Sequence, residues 1–163
     1  MSGPSTRRTT AAHTDSDAQV VRVLVVDDHP AVRVSLAQLI NDEPDMAVCA
    51  AAATPAEALD QVPKVHPDLA VVDLSLGESS GLDLIETLRV SYPALRILVL
   101  SMHDEELFAE RALRAGAQGY LMKGDAARHL LSAVRRVARG GVYLSARVSE
   151  RIRPALPSRS PLA

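Results

Sequence analysis

Apolar and polar positions alternate in blocks along this chain. Five short apolar runs stand out: VVRVLVV (20–26), MAVCAAA (46–52), DLAVVDL (68–74), LRILVL (95–100) and AQGYLM (117–122), recurring roughly every 22 to 27 residues. Near-continuous apolar runs of this length predict strands covered on both faces. Between them the period changes to that of a helix. Val32, Leu36, Leu39 and Ile40 share one helical face. Thr54, Pro55 and Glu57 read as N-cap, N1 proline and capping-box partner of a second helix. Leu82, Ile85 and Leu88 mark a third. Phe108, Ala112 and Ala115 mark a fourth, ending near Gly116. Leu130, Val134 and Val137 mark a fifth, ending near Gly140 and Gly141. This (βα)₅ order predicts a parallel sheet with helices on both faces and right-handed crossovers. The pattern alone carries no strand order.

The two ends lack this periodicity. Residues 1–19 are polar and rich in Ser, Thr and small side chains, and read as a disordered leader. Residues 146–163, ARVSERIRPALPSRSPLA, hold three prolines and a formal charge of +3, and read as a linker or tail. Residues 20–145 are left as one domain, consistent with a chain of 163 residues.

Composition narrows the class. At 47 % hydrophobic residues, the chain is globular rather than disordered. A net charge of −2 argues against general nucleic-acid binding. The single cysteine, Cys49, cannot form an internal disulfide, reads as a core filler, and suits a reducing compartment. No apolar run is long enough to cross a membrane, and no secretory signal opens the chain, so a cytoplasmic location is expected. Of the 18 basic residues only Lys64 and Lys123 are lysines.

In an open parallel sheet, ligands bind outside the carboxyl ends of the strands. Asp27 and Asp28 stand at that end of the first predicted strand, Asp73 of the third, Ser101 of the fourth, and Lys123 of the fifth, with Tyr120 just before it. Two like charges 4 Å apart cost about 4 kcal/mol at an effective dielectric of about 20. A hard divalent cation relieves this, and Mg²⁺ commonly sits on one or two carboxylates plus a phosphate. Asp73, projecting alone, suits a nucleophile that forms an acyl phosphate. Asp27 and Asp28 suit the metal, Ser101 offers a hydrogen-bond donor, and Lys123 offers a compact positive charge.

The stretches VVDDHP, VVDLSL…SGLDLI, LVLSMHDE, AGAQGYLMK and GGVYLS resemble the receiver domain of two-component response regulators, and DDHP and GGVYLS resemble its NarL/FixJ-type branch. The resemblance covers about residues 20–145. It implies a flavodoxin-like sandwich of strand order 2-1-3-4-5, the order the general rule for such folds gives for receiver proteins. It also implies that a sensor histidine kinase phosphorylates Asp73. Asp28, Asp73 and the Ser75 carbonyl would ligate Mg²⁺, with Asp27 acting through water. Ser101 and Lys123 would bind the phosphoryl oxygens. Ser101 would then draw Tyr120 inward and alter the surface of helix 4, strand 5 and helix 5. Homodimers through helices 1 and 5, or through that altered surface, are both implied.

Other readings of these residues are plain. Asp27 and Asp28 also suit the cap of the first helix. Tyr120 also suits core packing, and His29 and His103 suit loop positions. Three departures from the family pattern stand out. Gly77 replaces a common proline, which predicts a loosened loop, and Gly124 follows Lys123. The stretch after Leu144 is too short for a helix-turn-helix domain, so no direct nucleic-acid binding by these residues is expected. An aspartate-dependent phosphatase would carry an acid at Ser75. A nucleotide-binding domain would carry a glycine-rich loop in place of DDHPAV. A degenerate receiver acting only as a docking module would lack acceptor residues that are all present.

Overall fold

A computed structural model describes residues 19–152 of the protein; the expected leader up to residue 18 and the tail from residue 153 lie outside the described residues. The strands are β1 (Val21–Val26), β2 (Met46–Ala52), β3 (Leu69–Val72), β4 (Ser75–Leu76), β5 (Ser79–Ser80), β6 (Arg96–Ser101) and β7 (Gly119–Met122). The helices are α1 (Pro30–Asn41), α2 (Pro55–Val65), α3 (Gly81–Ser91), α4 (Glu105–Ala115), α5 (Ala126–Ala138) and α6 (Ala146–Ile152). Five strands form one parallel sheet in the order β2-β1-β3-β6-β7. Counting only these five, that is the expected 2-1-3-4-5.

Strand residues alternate between two cores, as the pleat requires. Leu24 and Val26 of β1 face the side covered by α2, α3 and α4. Val23 and Val25 face the side covered by α1 and α5. The predicted helical faces hold with small shifts. Leu36 and Ile40 are buried on α1, and Ala109, Ala112 and Ala115 are buried on α4, where Phe108 is only half-buried. Thr54 caps α2 by accepting from the Glu57 N–H (3.2 Å), while the Glu57 carboxylate reaches past the cap to the Ala53 N–H (2.7 Å).

Three features were not among the expectations. First, β4 and β5 form a small antiparallel hairpin around Gly77 and Glu78. Gly77 has φ of +63°, as a two-residue hairpin turn with glycine leading requires. A proline, locked near −65°, could not adopt it, so the glycine fixes this loop rather than loosening it.

Second, residues 146–152, expected as linker or tail, are ordered: they form α6, with Val148 and Ile152 buried against α4. This apolar pair one turn apart outweighs the polar composition around it.

Third, Tyr120 already lies inward, 1 % exposed. Its hydroxyl donates to the His103 carbonyl (2.7 Å).

Candidate metal and phosphoryl site

The register brings the candidate residues to one rim. The Asp27 N–H donates to Ala52 O (3.0 Å) and the Asp73 N–H to Val26 O (2.9 Å), so β1 and β3 end side by side. Ser101 pairs with Met122 across β6 and β7, which puts Lys123 one residue beyond. Gly81, the first residue of α3, holds the far side close. Its N–H donates to Leu74 O (2.9 Å), and a Cβ there would lie 2.1 Å from Asp73 O.

Asp27, Asp73 and Ser101 are all buried, while the Asp28 side chain is about a third exposed. Lys123 Nζ lies 2.7 Å from Asp73 Oδ2, as a hydrogen bond, and 2.8 Å from Asp27 Oδ2, as an ion pair without hydrogen-bond geometry. The second oxygens of both acids accept from backbone. Asp27 Oδ1 accepts from the His29 N–H (2.9 Å) and Asp73 Oδ1 from the Ser75 N–H (3.1 Å). Asp28 Oδ2 accepts from the Gly77 N–H (3.0 Å), tying the hairpin to the site. His29, not either aspartate, is the N-cap residue of α1, so the acids are not committed to capping.

Burial pushes the Asp27 carboxyl upward, but Lys123 and the His29 N–H outweigh it and hold Asp27 below its ordinary value. At Asp73 burial wins over Lys123 and the Ser75 N–H, with the Asp27 charge adding to it, so its carboxyl is pushed up. Burial would lower the Lys123 ammonium, yet Asp27 and Asp73 together raise it. One lysine therefore serves two buried acids.

Two buried oxygens, Asp27 Oδ2 and Asp28 Oδ1, have no hydrogen-bond partner among the described residues. Atoms of Asp27, Asp28, His29 and Asp73 lie within 4.8 Å of one another. Orphaned carboxylate oxygens grouped in this way fit a hard, oxygen-seeking divalent cation such as Mg²⁺. The His29 Nδ1 approaches Asp27 Oδ1 (3.1 Å) and Asp28 Oδ1 (3.0 Å) from the exposed side. His103 also reaches the site. Its Nε2 lies 2.7 Å from Ser75 Oγ, its N–H donates to Ser101 Oγ (3.0 Å), and its ring packs on Phe108. Its position two residues past Ser101 put it near the expected site in the sequence, where it read as a loop histidine.

The chain belongs to the response regulator receiver domain family, whose model matches residues 23–135. It is of the NarL/FixJ type. It is similar to the oxygen regulatory protein NreC of Staphylococcus carnosus, at 37 % identity over 79 % of this chain and 60 % of that protein. It is similar also to the transcriptional regulatory protein DegU of Brevibacillus brevis, at 32 % identity over 81 % of this chain and 56 % of that protein. This chain thus spans a little over half the length of these relatives. A LuxR-family two-component response regulator from Aurantimonas sp. SI85-9A1 shares the fold, with a TM-score of 0.76 and 34 % identity over 83 % of this chain and 97 % of that one.

Proposed function

We propose that this receiver domain takes a phosphoryl group onto Asp73 from a phosphohistidine of a sensor histidine kinase and uses it to change the surface of α4, β7 and α5. The observation that carries this reading is the buried pair Asp27 and Asp73 sharing Lys123, beside two orphaned carboxylate oxygens at the open rim of the sheet. An Asp73 oxygen attacks phosphorus, the N–P bond of the donor breaks, and the donor imidazole leaves with its electron pair. Lys123, already 2.7 Å from Asp73 Oδ2, neutralises charge on the phosphoryl oxygens, and the Ser101 hydroxyl donates to another of them. Asp28, Asp73 and the Ser75 carbonyl, with Asp27 through water, would hold Mg²⁺, which would supply further positive charge to the site when bound. Water later cleaves the acyl phosphate, so the chain acts only on itself.

Turning Ser101 to the phosphoryl group removes its oxygen from the His103 N–H and disturbs the His103–Tyr120 link. Tyr120, buried in this structure, is the switch residue that this disturbance reaches. The same reading puts the domain in the cytoplasm and in control of transcription, through a helix-turn-helix domain in a longer form. Pairing of two chains through α1 and α5 or through the changed surface belongs to it as well. No helix among the described residues is long and apolar enough to cross a membrane. The test is intact-protein mass after incubation with acetyl phosphate, with and without Mg²⁺. A gain of one phosphoryl group that needs Mg²⁺ and disappears in Asp73→Asn is the expected result. No gain from acetyl phosphate or from a cognate kinase overturns the reading.

A further inference from the structure

The short helix α6 lies on α4, beside Met122 at the end of β7. Ser145 caps it, accepting from the Val148 N–H (3.4 Å), and the Ser145 N–H donates to Glu105 Oε1 in the first turn of α4 (2.8 Å). Arg147 forms an ion pair with Glu106 in the same turn. Val148 and Ile152 are 1 % and 6 % exposed, in one cluster with Ala109, Ala112 and Ala115. Alanines at these α4 positions let a second helix approach closely. A line of hydrogen bonds joins this contact to the carboxylate rim. Ser101 Oγ accepts from the His103 N–H, the His103 carbonyl accepts from the Tyr120 hydroxyl, and the Tyr120 N–H donates to Tyr143 O (2.9 Å). Tyr143 stands two residues before the cap of α6.

We propose that α6 is a strap seated on the α4–β7 face of its own chain, and that phosphorylation of Asp73 releases it and uncovers the alanine face of α4. This rests on the phosphoryl-acceptor reading above. A short helix gains most of its stability from packing rather than propensity, and Val148 and Ile152 supply that packing for α6. Its seat is held by two apolar side chains and the first turn of α4, which is the turn that follows the Ser101–His103 loop. Local elements of this kind open without global unfolding. Coupling between two sites is reciprocal, so loosening the strap favours phosphorylation.

Trypsin reads the strap directly, because Arg147 and Arg151 lie within it. Proteolysis tracks the open population when reclosing is fast. The full chain is incubated with acetyl phosphate and Mg²⁺, given a short trypsin pulse, and weighed intact, so that phosphorylation and cleavage are read on the same molecules. Cleavage after Arg147 and Arg151 about tenfold faster in phosphorylated than in unphosphorylated molecules is expected, equivalent to about 1.4 kcal/mol of opening. Phosphorylation with equal cleavage overturns the strap and leaves the acceptor reading intact. No phosphorylation of the wild type overturns the acceptor reading and the strap with it. Val148→Asp and the milder Ile152→Ala should be cleaved quickly without phosphodonor and should take up phosphoryl groups faster than wild type, with the thermal unfolding of the sheet confirming a folded domain. Wild-type uptake in both variants contradicts the coupling.

Discussion

The two ends of the sheet treat polar groups in opposite ways. At the amino end, Arg22 and Asp68 are satisfied locally. The Arg22 guanidinium donates to Val65 O (2.6 Å), and Asp68 Oδ2 accepts from the Arg22 N–H (2.9 Å). Beside them opens a cavity of about 570 Å³ walled by Val62, Pro63, Pro67, Tyr92 and Pro93. At the carboxyl end Asp27 and Asp73 are buried around one lysine, and Asp27 Oδ2 and Asp28 Oδ1 have no hydrogen-bond partner among the described residues. Buried charge is costly unless it is paired, so what marks the working end is two buried acids sharing one cation.

The contrast breaks most severely at Gly81. In Gly81→Ala the new Cβ meets the backbone of Asp73 and Leu74, neither of which can swing away. Overpacking of this kind costs about 1–3 kcal/mol. A fall of several degrees in melting temperature and a parallel loss of phosphoryl uptake are expected, read by thermal unfolding and intact mass. Next in size is the response to metal. If Mg²⁺ answers the orphaned oxygens, tenfold excess over its dissociation constant stabilises the fold by about 1.4 kcal/mol, a rise of about 3–5 °C. Asp28→Asn should lose most of that rise, and an undiminished rise would place the cation elsewhere.

Tyr120 gives a smaller effect at alkaline pH. Burial pushes its phenol up to about 12, so the folded state holds it neutral while the unfolded chain ionises near 10. Its contribution is whole below pH 10 and is lost as pH rises from about 10 to about 12. Over that window wild type should lose stability more steeply than Tyr120→Phe in denaturant titrations, and parallel slopes would show that the phenol ionises freely. The smallest effect belongs to the amino end. Asp68→Asn keeps an oxygen for the Arg22 N–H, and should shift stability by no more than about 0.5 kcal/mol with phosphoryl uptake unchanged.

Much of this was legible in the chain. The apolar blocks located the five sheet strands and the helices between them because strands buried on both faces leave a simple trace. Asp27, Asp28, Asp73, Ser101 and Lys123 could be placed on one rim because parallel strands all end on the same side. What escaped was set by contacts distant in sequence. The β4–β5 hairpin is too short to show a period, and its turn depends on the φ of Gly77. Helix α6 did leave a trace, a Ser145 cap followed by Val148 and Ile152 at helical spacing, but the surrounding prolines and arginines masked it. His103 carries no pattern of its own. It enters the site only because the loop after β6 folds back over Ser75 and Tyr120.

The central claim is that, of three neighbouring carboxylates, Asp73 alone is the acceptor while Asp27 and Asp28 help it hold the metal. The most direct test phosphorylates the chain with acetyl phosphate and Mg²⁺, reduces the acyl phosphate with borohydride, and maps the reduced residue by peptide sequencing in the mass spectrometer. The account predicts reduction at Asp73 alone. Reduction at Asp27 or Asp28, or a stable phosphate ester on Ser101, would contradict it.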